Sequence, residues 1–183
     1  DQYNKKMTDI IIVQQEIAQK VAEKLQTQVT GEEQKLLTVR RTSNAEAYQL
    51  YLKGRFHTNK RTDDGYKKGL EYYRQAISVD PNFALAYFGI AEAYVVGATV
   101  GLSTKEAMPS IRANTLKALE LDPGLAEAHA GLAVIKTYYE FNFAAAEQSF
   151  RRSIELNPNY PTAHHWLGEF LIYMGRFDEG IAE

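Results

Sequence analysis

Apolar residues fall three and four positions apart over long stretches of the chain, and proline breaks these stretches at intervals. Residues 8–28 place Ile10, Val13, Ile17, Val21 and Leu25 on one stripe, with Gln and Lys filling the opposite side, which predicts an amphipathic helix. GEEQKLL at 31–37 predicts a second short helix after Gly31, and the polar RRTSN at 40–44 reads as a hinge. From residue 44 the pattern repeats itself. AISVDPNFALAY at 76–87, ALELDPGLAEAH at 118–129 and SIELNPNYPTAH at 153–164 share one grammar: a helical end, Asp or Asn, proline, then Asn or Gly and a new helix. Pro81, Pro123 and Pro158 lie 42 and 35 residues apart. Each is expected to end a helix, because proline lacks the N–H and crowds the preceding turn. Asn82, Asn159 and, more weakly, Gly124 are the expected N-caps of the helices that follow, with Glu127 placed to return a capping bond. A period of this size predicts a stacked array of two-helix units.

Small residues recur at matching points. Gly54, Ala91, Ala133 and Gly168 are placed where the two helices of a unit would cross, opposite Gly69, Ala146 and Gly180, while Tyr73 and Phe150 would fill the gaps between units. With bulky residues such as Leu50, Tyr87, His129 and His164 leading each first helix, and prolines closing each second one, the sequence resembles the tetratricopeptide repeat, a helix–turn–helix unit of about 34 residues. The resemblance implies an all-α, right-handed superhelical array. Its units would be residues 44–81, 82–123, 124–158 and a truncated 159–183, preceded by residues 1–43 as a helical lead-in and hinge. HTNKRTDDG adds about three residues to the first unit, and GATVGLST at 97–104 is an insertion expected to enlarge one turn or one edge of the groove. The helical pattern runs on to Glu183, which predicts a piece of a longer protein. The lead-in followed by TGEEQKLL and NAEAYQLYLKGR is similar to the junction in bacterial multidomain regulators, where such repeats follow a cyclase, kinase or transcription-factor-like module, and implies a regulatory role.

In this family the first helix of each unit lines a concave groove. The positions expected to be exposed there are Tyr48, Tyr51 and Arg55; Leu85, Phe88, Glu92 and Val96; Glu127, Ala130, Val134 and Tyr138; and Thr162, His165, Glu169 and Tyr173. Aromatic anchors beside isolated charges suit an extended or helical peptide, so Tyr51, Arg55, Phe88, Glu92, Val134, Tyr138, His165, Glu169 and Tyr173 are the candidate protein-binding residues. Some members clamp a terminal carboxylate with Lys and Asn on successive first helices. Here those positions hold Tyr51 and Arg55, then Phe88 and Glu92, so the clamp is absent. Glu92 and Glu169 favour a ligand with some positive charge, and Arg55 offers a site for an acidic group at the other end. The function read from the sequence is therefore a protein-interaction scaffold. The same groove filled by residues 8–28 or by another copy would make it an intramolecular spacer or a dimerisation element, and a catalytic domain outside the chain would make it a non-catalytic fragment of an enzyme.

Composition narrows the chemistry. There is no cysteine among the 183 residues, which removes disulfides, thiolate nucleophiles and sulfur-ligated metal sites. Apolar runs are too short to span a bilayer, and no basic-then-apolar targeting segment opens the chain, so a cytoplasmic protein is expected. The net charge of −2 hides an asymmetry: residues 1–75 hold 14 Lys/Arg against 10 Asp/Glu, and residues 76–183 hold 7 against 13. The acidic second part argues against a nucleic-acid surface, and Lys5-Lys6, Arg40-Arg41, Lys60-Arg61 and Lys67-Lys68 read as solvated surface. His129 and His164 occupy equivalent positions, where buried rings with locally satisfied nitrogens are expected; His165 is expected to be exposed and His57 to face solvent. No HExxH, GxSxG, GxGxxG or phosphate-loop pattern occurs. Asp63-Asp64 and Glu32-Glu33 are adjacent pairs beside glycine, expected in loops with diverging side chains. No catalytic residue, metal ligand or cofactor is assigned.

Overall fold

The computed structural model describes Thr42 and residues 44–183; the helices expected at 8–28 and 31–37, and Glu32-Glu33, lie outside the described residues. Eight helices follow one another among them: α1 (Ala45–Thr58), α2 (Asp63–Val79), α3 (Ala84–Thr99), α4 (Thr104–Leu121), α5 (Ala126–Tyr138), α6 (Phe143–Leu156), α7 (Pro161–Tyr173) and α8 (Phe177–Ala182). Each odd-numbered helix pairs with the even-numbered one after it, α2, α4 and α6 each pack on the next hairpin, and α1, α3, α5 and α7 lie side by side. The result is an all-α, right-handed superhelical array.

Small residues set the crossings. A Cβ built on Gly168 would meet the Gly180 carbonyl at 2.9 Å, and one on Gly180 would meet the Gly168 carbonyl at 2.8 Å, so the backbones of α7 and α8 touch. In the first hairpin, a Cβ on Gly69 would lie 3.2 Å from the Gly54 carbonyl. Tyr73 of α2, fully buried, wedges between hairpins: its ring lies where side chains on Gly54 of α1 and Gly89 of α3 would stand. The core is distributed along the array in two clusters, one from Ala47 to Ile135 and one from Ala133 to Leu171, and Val95 packs against both. Stability of such an array comes from the neighbours of each unit as well as from the unit itself.

The turns between hairpins correct the expected caps. α2, α4 and α6 end at Val79, Leu121 and Leu156, two residues before each proline. The side chains of Asp80, Asp122 and Asn157 then accept the backbone N–H of Asn82, Gly124 and Asn159 at 3.0, 3.0 and 3.1 Å. Those three residues are therefore held inside a turn, and the N-caps are Phe83, Leu125 and Tyr160, which make no side-chain capping bond. An Asx turn has displaced the helix start by one residue, and Phe83 and Leu125 are buried as a result. Within hairpins the usual chemistry operates: Thr62 caps α2, Ser103 and Glu106 form a reciprocal capping box on α4, and Asn142 caps α6. From the expected hinge, Asn44 caps α1 and the buried Thr42 donates its hydroxyl to Asp80, joining the start of the first unit to its end.

The insertions are absorbed mainly as helix. α3 and α4 have 16 and 18 residues, against 13 and 14 in α5 and α6, so the expected loop at 97–104 is a turn confined to residues 100–103. Asp63 and Asp64 open α2 instead of sitting in a loop, paired one turn on with Lys67 and Lys68 at 2.7 and 2.9 Å. His57 does not face solvent as expected: its ring is partly buried and stacks on Tyr72 at 5.4 Å.

His129 and His164 are partly exposed, yet locally satisfied. Their Nε2 atoms lie 2.9 and 3.0 Å from the carbonyls of Pro123 and Pro158, six residues upstream in each repeat. A carbonyl only accepts, so Nε2 carries the proton. At His164 a second contact, Nδ1 to Glu183 Oε2 at 2.7 Å, also calls for a donor and favours the imidazolium. The Glu183 carboxylate first, and the Pro158 carbonyl second, raise the His164 pKa above its usual value. Because the folded pKa is the higher one, the stabilisation is complete below the unfolded histidine pKa and is lost as pH rises through the folded one. His164→Asn should therefore flatten the fall in melting temperature from pH 6 to pH 8 that the parent shows; parallel curves would rule out the imidazolium.

Candidate functional site

The faces of α3, α5 and α7 enclose a cleft of about 530 Å³. α3 and α4 contribute Val95, Val96, Met108 and Ile111, α5 contributes Val134, Thr137 and Tyr138, and α7 closes the far wall with Thr162, His165, Trp166, Glu169 and Phe170. Much of the lining is apolar, and it includes two acids, Glu92 on α3 and Glu169 on α7. Arg61 reaches the cleft from the turn between α1 and α2.

Of the residues expected to line a groove, this cleft brings together Glu92, Val96, Val134, Tyr138, Thr162, His165 and Glu169. Val96 and Val134 show only their outer edge, whereas Tyr138 is 53% and Tyr173 68% exposed at the C-terminal ends of α5 and α7. His165 is exposed as expected, with Nε2 3.4 Å from Glu169 Oε1. Glu127 is partly buried on α5 outside the cleft lining.

The expected exposure fails at seven positions: Val96 and Val134 are buried but for that edge, and five more residues give nothing to the cleft. Tyr48, Tyr51, Leu85, Phe88 and Ala130 are all buried in the core. Tyr51, 8% exposed, is surrounded by the rings of Tyr48, Tyr73 and Phe83 at centroid distances of 6.2, 5.8 and 5.3 Å. Phe88, 3% exposed, lies over the bare backbone of Gly131, where a Cβ would stand 2.7 Å from its ring. The neighbouring unit covers Phe88 because Gly131 admits its ring, whereas Tyr51 is enclosed by aromatic rings, two of them from its own hairpin.

Arg55 remains exposed, with its guanidinium carbon 6.0 Å from the centre of the Tyr51 ring. Tyr51, and to a lesser degree Glu92, raise the Arg55 pKa. Burial pushes the Glu92 carboxyl above its ordinary range, Arg55 pulls it back and Glu127 pushes it further. The cleft thus sets two acids among apolar side chains, a surface able to take an aliphatic or aromatic group together with a cation. Trp166 and Phe170 add apolar groups to the lining from α7, and the sequence pattern did not single them out. Their signal was position: both fall within the helix turn between His165 and Glu169 and its continuation, on α7.

Among the described residues no group of three or more His, Asp or Glu side chains converges to hold a metal ion, and no helix is long and apolar enough to cross a membrane.

Comparisons with known proteins agree with this architecture. Residues 149–182 match the family model of the tetratricopeptide repeat. The transcriptional regulator HilA of Salmonella typhimurium is 24% identical over 140 residues, which cover 76% of this chain and 25% of HilA; the chain spans about a quarter of the length of that relative. A thermophilic tetratricopeptide repeat protein of Thermus thermophilus superposes with a TM-score of 0.64 at 18% identity, covering 97% of this chain and 87% of its own. The first such domain of Spaghetti, solved with the HSP90 peptide SRMEEVD, has a TM-score of 0.53 at 17% identity and covers 75% of this chain and 98% of its own. With paired helices, backbone-to-backbone crossings and a family match over residues 149–182, the described residues have the fold of a tetratricopeptide repeat array and are similar to a region of a bacterial transcriptional regulator.

Proposed function

We propose that the array is a non-catalytic interaction scaffold that takes a polypeptide segment into the cleft between α3, α5 and α7, as a regulatory module of a larger protein. The observation that carries this reading is the cleft itself, lined by apolar Val96, Val134, Trp166 and Phe170, acidic Glu92 and Glu169 and the exposed Tyr138, with Tyr173 exposed near Tyr138 outside the lining. Rigid aromatic anchors at the edge of a concave apolar surface suit peptide capture. The Spaghetti domain, which shares the fold, was solved with a peptide bound, and the regulatory part of the reading draws on HilA. Arg55, Glu92, Val134, Tyr138, His165, Glu169 and Tyr173 are the proposed contacts. Tyr51 and Phe88, being buried, act by supporting Arg55 and the α3 wall from behind. A cytoplasmic setting belongs to the same proposal.

Trp166 is the single tryptophan and lies in the cleft, so its emission reports occupancy. Peptides selected from a random library against the full chain are expected to shift that emission. Tyr138→Ala should weaken them about tenfold, as loss of an aromatic anchor does, while Arg152→Ala on α6 should leave them unchanged. Selected peptides that bind without moving Trp166 emission, and that ignore both substitutions, would place binding elsewhere.

A further inference from the structure

One line of residues crosses the array: Arg55, Glu92, Val134 and Glu169 each directly follow the small residue at a helix crossing. The last three stand eleven residues after Pro81, Pro123 and Pro158, at equivalent points on α3, α5 and α7. All three line the cleft. Read along the array, the pattern is acid, apolar, acid.

Glu92 is the decisive member. It is partly buried, yet among the described residues nothing donates a hydrogen bond to its carboxylate and no Lys or Arg forms an ion pair with it within 4 Å. Arg55 and Arg61 act on it only through space, and Glu127 opposes its ionisation. A carboxylate withdrawn from water without a donor is costly, and an incoming cation that supplies one removes that cost. Glu169 is more exposed, and its polar neighbour is His165 at 3.4 Å. Tyr138 feels the charge of Glu169 and lies near Tyr173, so a cation at Glu169 would also meet an aromatic face. Between the two acids, Val134 shares the lining with Trp166 and Phe170.

We propose that the groove selects a partner segment in which two basic side chains flank an apolar one, the first on Glu92, the apolar residue on Val134 and Trp166, and the second on Glu169 beside Tyr138. This deepens the peptide-scaffold reading and rests on it. Charge complementarity selects the occupant: the cleft offers two acids separated by an apolar step, and the ligand that satisfies all three carries the opposite pattern.

The test uses the full chain and a random peptide library. Peptides that shift Trp166 emission are expected to be enriched in Arg or Lys on both sides of an aliphatic or aromatic residue. In one such peptide, replacing either arginine by citrulline should weaken binding about tenfold on the parent. The loss at one position should vanish on Glu92→Gln and the loss at the other on Glu169→Gln, which assigns each cation to its acid. Both variants remove charge without changing shape, and circular dichroism melts check that they fold. Cleft-binding peptides with no basic enrichment, or citrulline analogues that bind equally well, would overturn the inference while leaving the groove reading intact. If no selected peptide moves Trp166 emission, the groove reading itself falls. A synthetic peptide of residues 8–28 that outcompetes every selected sequence would overturn the assignment to a partner.

Discussion

Replacing Tyr73 by alanine is expected to lower the unfolding free energy by about 3–5 kcal/mol, the range for deleting a buried aromatic ring. Urea unfolding followed by circular dichroism at 222 nm would measure it. Tyr73 is fully buried and belongs to two units at once. Its ring fills the space left by Gly54 in its own hairpin and by Gly89 in the next, and it touches Tyr51, which in turn touches Phe83. Deleting it opens a void bounded by two backbones, which cannot collapse without moving helices. The unfolding of α1 and α2 should also separate from that of the rest, broadening the transition, because the lost ring is a central contact between the first hairpin and the second. A loss below about 1 kcal/mol would mean that the hairpins are joined by something other than this wedge.

The second large effect is the converse. Gly89→Leu should destabilise the array by about 3 kcal/mol or more, the upper part of the range for overpacking. A single Cβ at residue 89 would already lie 2.5 Å from the Tyr73 ring. The ring has little room to retreat, because the Gly54 backbone is so near that a Cβ there would also stand 2.6 Å from it, and Tyr73 is fully buried. The strain therefore passes to the helix axes, and a thermal melt of Gly89→Leu should shift down by an amount comparable to that of Tyr73→Ala. The double variant, with the ring removed, should recover part of the loss; additive losses would show that residue 89 meets an obstacle other than Tyr73.

The features legible in the sequence are those that act on the backbone nearby. Proline forbids the continuation of a helix, so Pro81, Pro123 and Pro158 mark each joint. Glycine or alanine at a crossing admits a backbone, so Gly54, Gly168 and Gly180 reveal where helices touch. What resists such reading depends on competition or on rotation about a helix axis. Asn82 and Asn159 are good capping residues, but the side chains of Asp80 and Asn157 take their N–H groups first, and the helix begins one residue later on an apolar side chain. The groove faces show the second limit. Directly after a crossing residue, Arg55 and Glu169 are exposed, whereas Glu92 is partly buried and Val134 is buried. Tyr51 and Phe88, one turn earlier, are buried, Tyr51 among the rings of Tyr48, Tyr73 and Phe83, and Phe88 against the bare backbone of Gly131 on a different helix. His165 occupies the position equivalent to Phe88 and is exposed. An identical place in the repeat thus gives a core residue in one unit and a surface residue in another.

The turns that join successive hairpins are closed by their own side chains, and neighbouring units meet across one joint at a time. The width of the opening between α3 and α7 is therefore the sum of two small rotations, one on each side of α5. A change of packing at a single joint would widen or narrow that opening while leaving each hairpin intact. The chemistry displayed along the line and the curvature that presents it can consequently be altered separately, so a shift in partner does not require a new fold.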